Sequence, residues 1–228
     1  MDAVVICKDV KKVYRQGKIE VHALTDVDLE LERGDFACLS GPSGSGKSTL
    51  LNMIGGLDKP TSGEIVVDGM RIDKMEKGEL ADLRLHKIGF VFQAYNLIPV
   101  LSARENVEMV MQMQGVEKTL RKSRAEEILR EVGLQEMFDR RPSELSGGQQ
   151  QRVAVARAIV SRPSLVLADE PTANLDSVSA SSLLDLMLKM NKEHRVTFIL
   201  STHDPMVMER ARRQIHLKDG CVESNIAK

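Results

Sequence analysis

The chain has 228 residues, and its 32 lysines and arginines against 33 aspartates and glutamates leave a net charge of −1. A protein that binds nucleic acid through phosphate contacts usually carries a basic excess, so this balance argues against a nucleic-acid partner. No stretch reaches the roughly 18 apolar residues that cross a bilayer, and Cys7, Cys38 and Cys221 match no metal-binding or redox spacing. We therefore expect a soluble, cytoplasmic protein whose thiols are buried or incidental and lie in a reducing compartment.

Short apolar segments alternate with turns and helical segments at both ends of the chain, which indicates an α/β fold. The middle of the chain is mostly helical, so we predict one domain over residues 1–228 with a helical unit inserted at about 94–160. The predicted strands cover residues 4–7, 10–14, 27–31, 35–40, 64–67, 88–92, 164–168, 196–200 and 214–217. The predicted helices cover residues 47–57, 103–115, 120–132, 150–160, 179–191 and 205–211.

A glycine-rich loop follows the strand FACLS and precedes a helix, and it fits the pattern G-x-x-x-x-G-K-[ST] in full. Glycine lets a backbone wrap closely around phosphate, and the helix N-terminus directs its amides at the anion. Lys47 would supply a positive charge to the outer phosphates, and the Ser48 hydroxyl suits Mg²⁺. The expected phosphate-binding residues are Gly41, Ser43, Gly44, Ser45, Gly46, Lys47, Ser48 and Thr49.

Two carboxylates, Asp169 and Glu170, end the apolar run SLVLA. A buried parallel strand that delivers an acid at its carboxyl end is a common place for the chemistry of α/β proteins. Asp169 suits Mg²⁺, either as a direct ligand or through the ligands of the ion. Glu170 is next along the strand and so points away from Asp169, where it could polarise the water that attacks the γ-phosphate.

A second glycine cluster, LSGGQ at residues 145–149, precedes another helix. Ser146 is a candidate N-cap, and the two glycines expose amides at a helix start, which makes a second potential anion site in the chain.

These motifs, in this order, resemble the ATP-binding cassette (ABC) ATPases over essentially the whole chain. The resemblance implies a P-loop NTPase core with an antiparallel β subdomain and a helical signature subdomain. It also implies ATP and Mg²⁺ as cofactors, and two copies that pack head to tail around two ATP molecules. It assigns adenine stacking to Tyr14, metal binding to Ser48, Gln93 and Asp169, and catalysis to Lys47, Gln93, Glu170 and His203. It assigns ATP contacts across the dimer to Ser146, Gly147, Gly148 and Gln149, and a place in the loop crossing the interface to Asp176.

The segments "SGGQQQRVAVARAI" and "ADEPTANLD" further resemble the LolD and MacB subgroup, with the cell-division cassette FtsE close to it. Ala173 stands where that pattern more often has glycine. The resemblance implies a membrane permease partner, lipoprotein release or efflux, and a peripheral position on the inner face of the membrane. The alternative is a non-transport ATPase that regulates a membrane partner, as in cell division.

An apolar loop after Gln93 is a candidate partner surface, because exposed apolar residues in a soluble chain usually have a use. It carries Tyr95, Leu97, Ile98, Pro99, Val100 and Leu101. For Met109, Met111 and Met113, which follow it, we expect internal packing.

Overall fold

The structure, a computed structural model, describes residues 3–17 and 19–228 and contains a four-stranded and a six-stranded sheet. The strands are β1 (Ala3–Gln16), β2 (Ile19–Glu32), β3 (Phe36–Ser40), β4 (Ser62–Val67), β5 (Met70–Arg71), β6 (Ile88–Val91), β7 (Leu165–Asp169), β8 (Thr197–Ser201), β9 (Arg213–Lys218) and β10 (Cys221–Ala227). The helices are α1 (Lys47–Ile54), α2 (Lys77–Lys87), α3 (Ala103–Met113), α4 (Lys118–Glu131), α5 (Gly147–Ile159), α6 (Ser177–His194) and α7 (Pro205–Arg210).

The smaller sheet has the order β2-β1-β4-β5 and is antiparallel throughout. Its strand β1 is continuous where the sequence predicted two strands, at 4–7 and 10–14. Asp9 adopts a φ of +48° at a shift in register, and its N–H donates to Asp28 Oδ1 at 2.9 Å. The predicted break is therefore a bulge within one strand.

The larger sheet has the order β10-β9-β3-β8-β7-β6, with β10 antiparallel to β9 and the other pairs parallel. Every residue of β3 and β8 is buried, as is β7 up to its last residue, Asp169. Such apolar strands are typical of a parallel sheet covered on both faces. Because β3, β8 and β7 are parallel neighbours, the segments that follow them meet at one edge of the sheet. The α/β class with an antiparallel β subdomain and a helical subdomain is thus confirmed.

Helices α3, α4 and α5 lie between β6 and β7 and pack on one another around Val107, Met111 and Leu129. The loop before α3 is held by the buried Asn106, whose Nδ2 donates to the Ile98 carbonyl at 3.2 Å and whose Oδ1 accepts from the Ile98 N–H at 2.7 Å. These helices occupy the interval predicted as an insert at about 94–160, and the division of residues 1–228 into one domain with that insert stays a prediction.

Sequence analysis predicted neither α2 nor β10. Only Leu80 and Leu83 of α2 are buried, so its apolar periodicity is weak, but a reciprocal pair of bonds between Glu76 and Glu79 caps its start. Strand β10 has no buried residue, and the polar run Glu223, Ser224 and Asn225 interrupts its apolar residues. Pairing with β9 holds these residues in an extended strand that their own composition does not predict.

A partly buried carboxylate joins the two sheets. Asp68, in the turn between β4 and β5, accepts hydrogen bonds from Arg33 at 2.6 Å and Ser164 at 2.8 Å and pairs with Lys87 at 2.9 Å. Burial alone would raise the pKa of Asp68, but the bonds from Arg33, Lys87 and Ser164 outweigh it and lower the pKa to about 2. Asp68 therefore ties the antiparallel sheet to the start of β7.

Over the described residues, no helix has both the length and the apolarity that a membrane crossing requires. Cys7 and Cys38 are buried, as predicted, and burial raises the pKa of each thiol to about 12, so both stay protonated. Cys221 is exposed.

The methionines of α3 differ in burial. The expectation that they pack internally is right for Met111, which is fully buried, and wrong for Met113, which is 66% exposed.

Candidate functional site

The glycine loop between β3 and α1 adopts a backbone that only glycine tolerates. Gly41 has a φ of +141° and Gly46 a φ of +99°. A Cβ on Gly41 would lie 2.1 Å from the carbonyl oxygen of Leu217, and one on Gly46 would lie 2.6 Å from that of Ala23. The pattern of glycines therefore reflects both the left-handed turns and the close approach of β9 and β2.

The loop opens into a cavity of about 610 Å³ that can accept a polyphosphate. Lys47 Nζ donates to the carbonyls of Gly41 at 2.8 Å and Pro42 at 2.9 Å. A Cβ on Gly44 would meet no described atom within 4 Å, so the backbone there faces open space. The cavity is lined by Val21, His22, Ala23, Ser43, Gly44, Gly46, Lys47, Ser48, Thr49, Gln93, Glu170, Ala173 and His203.

Oxygen donors suited to Mg²⁺ lie beside this cavity. Asp169 Oδ1 accepts hydrogen bonds from Ser48 Oγ at 3.1 Å and from Ser201 Oγ. The Gln93 side chain is on the cavity wall with Ser48. A hydroxyl, a carboxylate and an amide oxygen match the hard ligands that Mg²⁺ prefers, so the residues present fit the ion.

Glu170 is held by two neighbours at the end of β8. Its Oε1 lies 2.8 Å from His203 Nδ1, and its Oε2 accepts from Thr202 Oγ1 at 3.3 Å. The Thr202 hydroxyl itself accepts from the Asp204 N–H at 3.0 Å, which leaves its proton free to face Glu170. Glu170 also has a φ of +46°, a strained backbone conformation directly after the last residue of β7.

The backbone of the Gln93 loop is held by side chains from α5 and from the segment after β7. Gln151 Nε2 donates to the Phe92 carbonyl at 3.3 Å and to the Pro171 carbonyl at 2.8 Å. Asn174 Nδ2 donates to the Gln93 carbonyl at 2.9 Å. The segments that carry Gln93 and Glu170 are therefore connected through one buried amide.

Two left-handed residues continue this loop. Tyr95 and Asn96 have φ values of +58° and +49°, and Arg157 on α5 donates to their carbonyls at 2.9 Å and 2.5 Å. The bidentate guanidinium supports a backbone conformation that neither residue favours.

The signature residues lie outside the cavity. Ser146 caps α5 by accepting from the Gln149 N–H at 3.3 Å, and Gln149 Oε1 accepts from the Ser146 N–H at 2.9 Å. Gly147 and Gly148 form the first turn of α5. Asp176 likewise caps α6 and is not on the cavity wall, and hydrogen bonds from Ser179 lower the pKa of its carboxyl. Within one chain, the structure does not bring these residues to the phosphate loop.

Tyr14 is not part of the cavity wall, but it adjoins it. Its hydroxyl donates to Asp58 Oδ2 at 2.8 Å and interacts with the side chain of Thr49, which lines the cavity. Lys12 Nζ lies 4.8 Å from the centre of the Tyr14 ring. Burial and the bond to Asp58 raise the pKa of Tyr14, so the ring is held in a neutral phenol form.

Three polar side chains that line the cavity or bond its carboxylates were not predicted from the sequence. His22 stands in a strand that carries no motif, and it lines the cavity. Ser201 and Thr202, which bond Asp169 and Glu170, precede His203 in the motif STHD. Their small hydroxyls directly before a predicted site histidine were the available signal.

The family model described as "ABC transporter" matches residues 24–173 of the chain. The chain is 48% identical to the macrolide export ATP-binding/permease protein MacB of Syntrophobacter fumaroxidans over 95% of its own length and 30% of that protein. It therefore spans less than a third of this relative. It is 44% identical to the lipoprotein-releasing system ATP-binding protein LolD of Idiomarina loihiensis, over 96% of both chains.

The fold is similar to that of the ABC transporter ATP-binding protein MJ0796 of Methanocaldococcus jannaschii. The TM-score is 0.90 at 44% identity, with 98% of each chain covered. That solved structure is a dimer in a post-hydrolysis state, bound to ADP and Pi.

Proposed function

Since the chain belongs to the ABC transporter family and is one of its ATP-hydrolysing cassettes, we propose that it is the ATPase subunit of a lipoprotein-release or efflux system. In this proposal two copies assemble head to tail on ATP, and the assembly drives a conformational change in a membrane permease. The chain would thus lie peripherally on the inner face of the membrane, held there by the permease.

The residues around the cavity divide the chemistry among them. The loop amides and Lys47 bind the phosphates and offset the charge that develops in the transition state. Ser48, Gln93 and Asp169 would hold Mg²⁺, which when bound neutralises charge on the outer phosphates.

Glu170 orients the attacking water and accepts its proton. His203, whose Nδ1 lies within hydrogen-bond distance of Glu170 Oε1, holds the water and the γ-phosphate in position relative to each other. Hydrolysis then yields ADP and phosphate.

The observation that carries the two-copy arrangement is the separation of the two anion sites. One chain provides the phosphate loop and Glu170 in a single cavity, whereas Ser146 and the amides of Gly147 and Gly148 lie elsewhere. An exposed helix N-terminus with no phosphate of its own is suited to the γ-phosphate of another copy. The solved structure of MJ0796 with ADP and Pi is dimeric, which supports the assembly of two copies.

Nucleotide-dependent dimerisation tests the proposal. In the Glu170→Gln chain, which should bind ATP without turning it over, we expect monomers without nucleotide or with ADP and dimers with ATP, measured by light scattering. Adding Ser146→Arg should abolish the dimer while ATP binding to each monomer persists. Ser123→Arg, at an exposed serine of α4, is the matched control and should leave the dimer intact. A dimer that forms equally with ADP, or that ignores Ser146→Arg, would contradict the proposal.

A further inference from the structure

Three metal-ligating side chains converge where helices α4 and α6 end, away from the ATP cavity. Glu131 is the last residue of α4, and Glu193 and His194 are the last two residues of α6. His194 Nε2 lies 2.8 Å from Glu131 Oε2, and one ligand atom from each of the three residues lies within 4.8 Å of the other two. Within residues 3–17 and 19–228, this is the one group of three histidine, cysteine or acidic side chains that comes so close together. It is here called the α4–α6 cluster.

The chemistry of the α4–α6 cluster suits a transition-metal ion. Zn²⁺ accepts an imidazole nitrogen together with carboxylate oxygens, whereas Mg²⁺ and Ca²⁺ prefer oxygen ligands alone. Three protein ligands leave the fourth tetrahedral position to water. The imidazole therefore distinguishes this cluster from an ordinary group of surface acids.

Small movements of the side chains bring the three atoms to coordination distance. Ligands that lie about 2.0–2.2 Å from Zn²⁺ are roughly 3.3 Å from one another in a tetrahedron. Glu131 and His194 are already closer than this, at 2.8 Å, so an ion that enters between them has only to separate them slightly. The Glu193 side chain is half exposed, and its ion pair with Lys189, at 3.9 Å, is weak, so its carboxylate can turn toward the ion.

The helix ends favour a cation at this place. The C-terminus of a helix carries a partial negative charge, which disfavours a carboxylate such as that of Glu131 in the last turn unless a cation neutralises it. Glu193 lies in the last turn of α6 and is disfavoured for the same reason. A divalent ion balances the charges of both carboxylates.

A small cavity of about 60 Å³ adjoins the cluster and has room for an ion with its water. It is lined by Arg124, Glu127, Ile128, Glu131, Ile159, Val160, Arg162 and His194. The aliphatic residues of this wall limit contact with bulk water, which strengthens the attraction between the ion and its carboxylates. Arg124 and Arg162 repel a cation, but both residues are exposed, so solvent and salt screen their charges.

We propose that Glu131, Glu193 and His194 bind a divalent transition-metal ion of the Zn²⁺ type, with water completing the coordination. Helix α4 packs on α3 and α5, whereas α6 connects β7 and β8 of the larger sheet. An ion bound from both helix ends therefore fixes the end of α4 to α6. This inference goes beyond the proposed function and does not depend on it.

Calorimetric titration of the untagged, chelator-treated chain with Zn²⁺ tests the site. The variants Glu131→Gln, Glu193→Gln and His194→Gln each replace one ligand by an amide that carries no charge. His86→Gln removes an exposed imidazole of α2 and is the matched control. His203→Gln is the second control, because an imidazole and a carboxylate also meet in the ATP cavity.

We expect a Zn²⁺ site that persists in the His86→Gln and His203→Gln chains and is weakened at least about tenfold in Glu131→Gln and His194→Gln. Glu193→Gln should weaken binding less, since the Glu193 carboxylate is half exposed. Arg124→Gln removes an opposing charge and should tighten binding. Millimolar Mg²⁺ should not displace the Zn²⁺.

Amide hydrogen exchange tests the bridge between the helices and verifies that the variants are folded. Zn²⁺ should slow exchange at the end of α4 in the wild-type chain and not in His194→Gln. Glu131→Gln keeps an oxygen that accepts a hydrogen bond from His194, so it decides the matter if His194→Gln does not fold.

Zn²⁺ binding that neither Glu131→Gln nor His194→Gln weakens would overturn the inference, as would binding that is lost only in His203→Gln. Displacement of the Zn²⁺ by Mg²⁺, or binding that leaves exchange at the end of α4 unchanged, would overturn it as well.

Discussion

Glu170 Oε1 and His203 Nδ1 lie 2.8 Å apart although 33 residues separate them in the chain. The proximity follows from the parallel pairing of β7 and β8, in which Asp169 lies opposite Ser201. The residues that follow the two strands therefore lie side by side at the same edge of the sheet. Thr202, between Ser201 and His203, reaches the other oxygen of the same carboxylate. The Glu170 carboxylate is thus held at both oxygens by one short segment.

Replacing Glu170 by Gln should lower kcat by about a hundredfold or more while ATP binding is retained, because the amide keeps the shape but cannot accept a proton. Phosphate release and ATP titration measure the two quantities. Lys47→Ala is the contrasting variant and should lose ATP affinity, since it removes the charge at the phosphate loop. A Glu170→Gln chain with nearly wild-type turnover would refute the assignment of the base.

Thr202→Val should lower kcat by about tenfold with little change in the Kd for ATP, because the loss of one hydrogen bond to a charged group loosens Glu170 without touching the phosphate loop. Thr202→Ser retains the hydroxyl and should restore most of the rate. In a Glu170→Gln background, Thr202→Val should have no further effect on turnover. An equal loss from both substitutions at Thr202 would show that packing of the methyl group, and not the hydrogen bond, is what matters.

Tyr14→Ala should weaken ATP binding by about tenfold, because stacking of a base on an aromatic ring is worth about 1–3 kcal/mol. Tyr14→Phe keeps the ring and loses only the bond to Asp58, so it should bind ATP more tightly than Tyr14→Ala. Titration with a fluorescent ATP analogue compares the two. If both variants bind as the wild type does, adenine does not stack on Tyr14.

Asp68→Asn should destabilise the fold by about 2 kcal/mol at pH 7, because the carboxyl has a pKa of about 2 when folded against 3.8 in the unfolded chain. A carboxyl with a lowered pKa contributes stability above its unfolded pKa and loses it as the pH falls through the folded value. The difference from wild type should therefore shrink between about pH 4 and pH 2. Urea unfolding across this range measures it, with Asp82→Asn, at an exposed position of α2, as the control. A difference that is independent of pH would exclude the charge as its cause.

The sequence by itself determined the local parts of this protein. The spacing of Gly41, Gly46 and Lys47 predicts the phosphate loop because left-handed turns constrain residues that are neighbours in the chain. The apolar runs predict the strands β3, β7 and β8, because a short apolar run between turns indicates a strand from its local composition. The order of the motifs identified the ABC ATPase family, and the comparisons confirm it. The roles of the individual site residues stay predictions.

Tertiary structure alone decided which distant groups meet. The strands 4–7 and 10–14 became one, and α2 and β10 formed, because pairing and packing supplied order that weak local patterns do not encode. Nothing near Arg157 in the chain indicates that its guanidinium donates to the carbonyls of Tyr95 and Asn96 and so supports the loop that follows Gln93. The sequence gives the charge of each side chain directly. The groups that this charge contacts depend on every segment that the fold brings close to it, so only the tertiary structure decides them.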